Sequence, residues 1–175
     1  MPDTGAPRSL AEALRSTGDA ELAGLLTARP DLASPVPTDT GQLAARAATR
    51  ASVTRALDRL DRFTLDVLDA VAVRESLGGG PVTVATVAGL LGMQPAPVRP
   101  VVDRLRMMAL LWGSSEELRL VRTVREVIGA HPAGLGPPAR QALLAHSPGR
   151  LARIVTDLGM RPSGDPVTDA TMAGE

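Results

Sequence analysis

A chain of 175 residues, 44% hydrophobic and 22% charged, has enough surface to bury roughly 70% on folding, as one compact domain or two small ones. Its 19 basic residues are all arginine, balanced by 19 acids, and cysteine is absent, which excludes disulfides, thiolate chemistry, a Walker A phosphate loop and a lysine Schiff base. No apolar run reaches the roughly 18 to 20 residues of a membrane span, and MPDTGAPRS lacks a signal peptide's basic start and apolar core, so the expected location is cytoplasmic with no membrane partner.

In chain order, residues 1–8 are expected to be disordered, and Ser9 with Glu12 forms a capping-box pattern opening a helix to about Arg15. Thr17 or Asp19 starts a second helix with Leu22, Leu25 and Leu26 on one stripe, stopped by Arg29-Pro30. Ser34-Pro35 and Val36-Pro37 mark extended chain. Helices over about 40–48 and 51–60 follow, the second turning Val53, Ala56, Leu57 and Leu60 inward, and Thr64 marks a fresh start.

From Thr64 to Val121 three amphipathic helical patterns lead directly into an alternating pair of strand patterns. The first carries Leu65, Leu68, Val71 and Ala72 on one side and stops at Gly78, Gly79 and Gly80. Thr83 caps the second, whose Val84, Val87, Ala88 and Leu91 recur at i, i+3, i+4 and i+7 before Gly92. The third, residues 97–110, buries Val98, Val101, Val102, Leu105, Met108 and Ala109, and a hairpin follows with strands near 110–112 and 118–120. That order is the pattern of a winged helix-turn-helix, whose second helix of the pair is the one offered to the DNA major groove. About 100° per residue puts Arg99 and Arg106 on one flank of its exposed face, Arg104 on the other, and Asp103 and Met107 between them.

Beyond the hairpin, residues 123–128 form a short helix, HPAGLGPP (131–138) reads as a linker, and 139–146 with 148–160 read as an αα-hairpin. The tail from 161 to 175 is poor in large apolar residues and expected to be flexible. The fold class is thus mainly α: a helical N-terminal subdomain (9–62) packed on a winged-helix domain (63–130), then the linker, the hairpin and the tail.

These elements carry no constellation for catalysis. His131 and His146 are the only imidazoles, with no cysteine and no H-E-x-x-H spacing, so neither a metal nor another cofactor is expected. Paired carboxylates such as Asp58 with Asp61 and Asp66 with Asp69 lie beside arginines at helical spacing, as on a solvated face. Phe63 and Trp112 are too few aromatics for a base-stacking platform, which leaves duplex DNA as the expected nucleic acid. Residues 90–125 hold six arginines against three acids, a modest footprint that predicts weak binding through Arg99, Arg104, Arg106, Arg119 and Arg122. The alternative is a protein-protein interaction or dimerisation domain using the same surface, with Met107 facing an apolar partner.

The runs RPDLASPVPTD, RASVTRALDRLDRFTLDVLDAVAV, PVTVATVAGLLG, VVDRLRMMALLWG and AGLGPPARQALL, in this order, resemble the N-terminal region of actinobacterial helicase-associated proteins of the XPB-like group, over about residues 8 to 160. The resemblance implies a DNA-linked, helical and winged-helix accessory region, with further domains beyond Glu175, and brings no motor, because helicase nucleotide-binding motifs need residues this chain lacks.

Overall fold

The computed structural model describes residues 7–78, 80–129 and 139–174. These are mainly helical, with one two-stranded antiparallel sheet among the described residues. The chain divides into two compact units, residues 1–133 and 134–175. The expected linker at 131–138, His131, and nearly all of the expected disordered start lie outside the described residues.

The first unit begins with α1 (Leu10–Arg15), capped by Ser9, whose hydroxyl accepts the Glu12 amide at 3.2 Å. Glu12 reaches back to the Arg8 amide at 2.8 Å instead of to the cap's own, one residue beyond a regular capping box. Next come α2 (Asp19–Ala28), a 3₁₀ turn (Pro30–Leu32) and α3 (Thr40–Ala47), the last capped by Asp39. Leu14, Leu25, Leu32, Leu43, Ala44 and Ala47 from these elements form a small core of their own.

Helix α4 (Arg50–Leu57) starts at the Thr49 cap, and α5 (Arg62–Leu77) at Asp61. Thr64 is therefore not the fresh start that the sequence suggests. Asp61 accepts both the Thr64 amide, at 2.8 Å, and its hydroxyl, at 2.9 Å, because a carboxylate is a strong cap at the positive end of a helix. These bonds, and secondarily the nearby Arg104, hold Asp61 below the usual carboxylate range.

Helix α6 (Val84–Leu90) is capped by Thr83 and ends at Gly92, where a φ of +65° lets the Met93 amide bond back to the Ala88 carbonyl at 3.0 Å. Helix α7 spans Pro95–Met107, two residues earlier than expected because Pro95 suits a first helical position. It also stops earlier: Ala109 turns left-handed at φ +52° and the Leu110 amide bonds to the Leu105 carbonyl at 3.0 Å.

Strands β1 (Leu111–Gly113) and β2 (Leu118–Leu120) pair with Leu111 opposite Leu120 and Gly113 opposite Leu118. Gly113 is required at this turn, since its φ is +93° and a Cβ would lie 2.2 Å from the Glu117 carbonyl oxygen. The Leu118 amide donates to the Val82 carbonyl at 2.8 Å, which ties the α5–α6 connection to the hairpin. Glu75 of α5 accepts the Leu120 amide at 2.8 Å and pairs with Arg125 of α8 (Arg122–Ile128).

One core joins α4 through α8. Val53, Leu57, Val71, Val87, Val102 and Leu105 are among its buried members, with Leu111, Leu118 and Val124 closing it. The expected boundary between 62 and 63 therefore does not separate two cores: α4 packs on α8, and the Thr123 hydroxyl donates to the Ala48 carbonyl at 2.6 Å.

The second unit contains α9 (Ala139–Leu144), α10 (Pro148–Asp157) and α11 (Pro166–Gly174). It corrects two expectations. Part of the supposedly flexible tail is a helix, and α9 and α10 each pack chiefly on α11 instead of pairing as an αα-hairpin. Asp165 caps α11 by accepting the Thr168 amide at 2.8 Å, and Pro166 follows it. Small side chains substitute for large apolar ones: Ala170 is fully buried, and a Cβ on Gly174 would lie 3.1 Å from the Arg140 amide nitrogen of α9.

Candidate nucleic-acid interface

Helix α7 turns Val98, Val102 and Leu105 into the core and leaves Arg99, Pro100, Asp103, Arg104 and Met107 exposed, as its sequence period predicts. At about 100° per residue the outermost line of the helix runs through Ala96, Pro100, Asp103 and Met107, with the arginines on its flanks.

Four of the five candidate arginines are paired with carboxylates. Arg104 donates to Asp61 at 3.2 Å, Arg106 lies 4.0 Å from Asp103 one turn back, Arg119 pairs with Glu117 two residues away on the β1–β2 hairpin, and Arg122 bonds to Glu126 at 2.9 Å. Arg99 is exposed and has no acidic partner among the described residues. The acids thus interleave the cations and reduce the local field, least around Arg106, whose pair is the longest.

Helix α2 packs against α7. The contact is made at Gly24, where a Cβ would lie 3.7 Å from the Met107 sulfur, an ordinary packing distance. The outer face of α7 is therefore free along its N-terminal half, at Ala96, Arg99 and Pro100, and flanked by α2 near its end. An open groove of about 820 Å³ runs between α1, α2, α7 and β1, lined by Leu10, Leu14, Leu22, Met107 and Trp112.

The most consequential polar residue of this region is one that the sequence pattern conceals. Arg29, which reads as a helix stop beside Pro30, is fully buried. Its guanidinium donates to the Met108 carbonyl at 3.1 Å and to the Ala47 carbonyl at 3.3 Å, bonds to Ser52, and lies 3.5 Å from Asp31. Those carbonyls end α7 and α3, where helix dipoles favour a cation. Burial pushes the Arg29 pKa down and Asp31 opposes that shift. The Arg29 Nε has no partner among the described residues. An arginine followed by proline gave no local signal of burial.

Among the described residues, no group of three or more His, Asp or Glu side chains gathers as a metal site, and no helix is long and apolar enough to cross a membrane. Comparison with family models, with curated proteins and with solved structures finds no match to this chain. The resemblance to helicase-associated proteins rests on the sequence alone.

Proposed function

We propose that residues 62–128 are a winged helix-turn-helix, and that the chain is a noncatalytic module contacting duplex DNA with the N-terminal half of α7 and the β1–β2 wing. The observation that carries this reading is the order and packing of α5, α6, α7 and the hairpin around one core, with α7 left exposed along its outer face. Arg99 meets phosphate or a guanine edge directly. The pairs of Arg104, Arg119 and Arg122 are exposed, and such pairs are worth about 0 to 1 kcal/mol, so phosphate competes for these arginines at small cost. The context suggested by the sequence resemblance, an accessory region of a helicase-associated protein, suits such a module.

Binding is weak and salt-sensitive on this reading. With roughly two to four phosphate contacts, log affinity falls against log salt with a slope of about −2 to −4. Trp112 emission or mobility shift with a mixed duplex at low ionic strength measures it, and Arg99→Ala flattens the slope by about one unit. Micromolar protein with no salt-sensitive duplex binding overturns the proposal.

A second reading has its own support. The outermost line of α7 holds an acid and Met107 but no cation, a composition suited to a protein partner. Met107→Glu abolishing association with a partner, while Arg99→Ala leaves it unchanged, decides for that reading.

A further inference from the structure

Met108 and Ala109 form the hinge between α7 and the wing, and both are held by residues of the N-terminal helices. Met108 ends α7, and its carbonyl accepts from Arg29 at 3.1 Å. Ala109 is left-handed at φ +52°, the one non-glycine residue with positive φ among those described, and it is fully buried. An L-residue in that conformation pays on the order of 1 kcal/mol, a fivefold disfavour, and glycine is the usual occupant of this position after a helix. The Ala109 methyl packs in a core otherwise built from Leu14, Leu25, Leu32, Leu43, Ala44 and Ala47. The Leu110 amide then closes on Leu105, and the Leu110 carbonyl accepts the Val121 amide at 3.1 Å, so the direction of the wing follows from the turn at Ala109.

We propose that Arg29 is a positioning residue for the α7–wing pair: by clamping the Met108 carbonyl it keeps Ala109 in its disfavoured left-handed turn and so sets where the wing stands relative to the recognition helix. The N-terminal helices are then part of the recognition device, and without them α7 and the wing lose their fixed mutual placement. The functional consequence rests on the winged-helix reading, whereas the clamp itself is tested without DNA.

Hydrogen exchange on the full chain, read at the Leu110 and Val121 amides with Val71 of α5 as internal reference, tests it with Arg29→Lys, Ala109→Gly and the double variant. Lysine keeps the charge but has one nitrogen on a shorter stem where the guanidinium has two, so it does not keep both the Met108 carbonyl, served by Nη1, and the Ser52 hydroxyl, served by Nη2, within reach. Arg29→Lys is expected to speed exchange at Leu110 and Val121 on the order of fivefold relative to Val71, the size of the left-handed penalty it releases. Glycine needs no clamp to stay left-handed, so Ala109→Gly should suppress the effect: the double variant exchanges within about twofold of the Ala109→Gly single variant. A purely structural contribution of Arg29 gives no such rescue. Unchanged rates in Arg29→Lys, equal acceleration at Val71, or a double variant that still shows the fivefold effect overturns the proposal. If Arg29→Lys alone does not fold, a folded double variant supports the clamp and an unfolded one overturns it.

Discussion

Arg29→Met should be among the most damaging single changes in the first unit. The substitution keeps a long apolar stem but removes the guanidinium, leaving the Met108 and Ala47 carbonyls and the Ser52 hydroxyl with one partner fewer inside the protein. Each buried acceptor left unsatisfied costs about 1 to 3 kcal/mol, and removing one member of a buried ion pair about 3 to 5 kcal/mol. The two figures overlap and are not summed. Asp31 keeps 15% of its side chain exposed, so water recovers part of its solvation and the expected loss is about 3 to 4 kcal/mol. Urea unfolding followed by Trp112 emission measures it, because the single tryptophan lies in β1 and reports on the first unit alone. Arg122→Ala, whose side chain is 92% exposed, serves as the control at about 0.5 kcal/mol or less. A loss below about 1 kcal/mol in Arg29→Met, at unchanged denaturant slope, would refute the argument that its bonds are needed to offset burial.

Leu105→Ala should cost about 2 to 5 kcal/mol as a core truncation, since Leu105 is fully buried on the core face of the last turn of α7; under 0.5 kcal/mol in the same urea assay contradicts the packing. Gly113→Ala should cost about 2 to 4 kcal/mol and shift Trp112 emission, because its Cβ would collide with the Glu117 carbonyl in a left-handed turn; parental stability and emission would show that the β1–β2 turn is built differently. The second unit should weaken in acid. Asp165 is held below the usual carboxylate range by its bonds from Thr168, and Asp169 by its bonds from Ser163. Lowered folded values mean that the unfolded chain binds protons first, so their stabilisation is complete above about pH 5 and is lost as pH falls through the folded values. Asp169→Asn should flatten that acid transition in helix content, and an unchanged pH profile counts against the assignment.

The periodic and punctuating features were legible in the sequence. The inward faces of α4, α6 and α7, the caps at Ser9 and Thr83, the stop at Gly92 and the hairpin after α7 each depend on residues within about one turn of each other, which is the range over which local backbone preferences act. Ion pairs at helical spacing, Arg106 with Asp103 and Arg122 with Glu126, belong to the same class. Helix α11 escaped because its packing uses alanine and glycine, which carry little hydrophobic signal although they permit the closest approach of two helices.

What Arg29, Arg104 and Arg125 do, by contrast, was decided by tertiary structure. Nothing near Arg104 in the chain indicates Asp61, nothing near Arg125 indicates Glu75, and nothing beside Arg29 indicates that it serves the carbonyl of Met108. The approach of α2 to Met107 is likewise a contact between distant segments. Composition and period determined that α7 has an exposed, arginine-flanked face. Only the packed chain determined that Arg104 meets Asp61, that Arg99 stands apart, and that a buried Arg29 holds the end of the helix, because charge acts on whatever folding brings near while helix and strand preferences act on sequence neighbours.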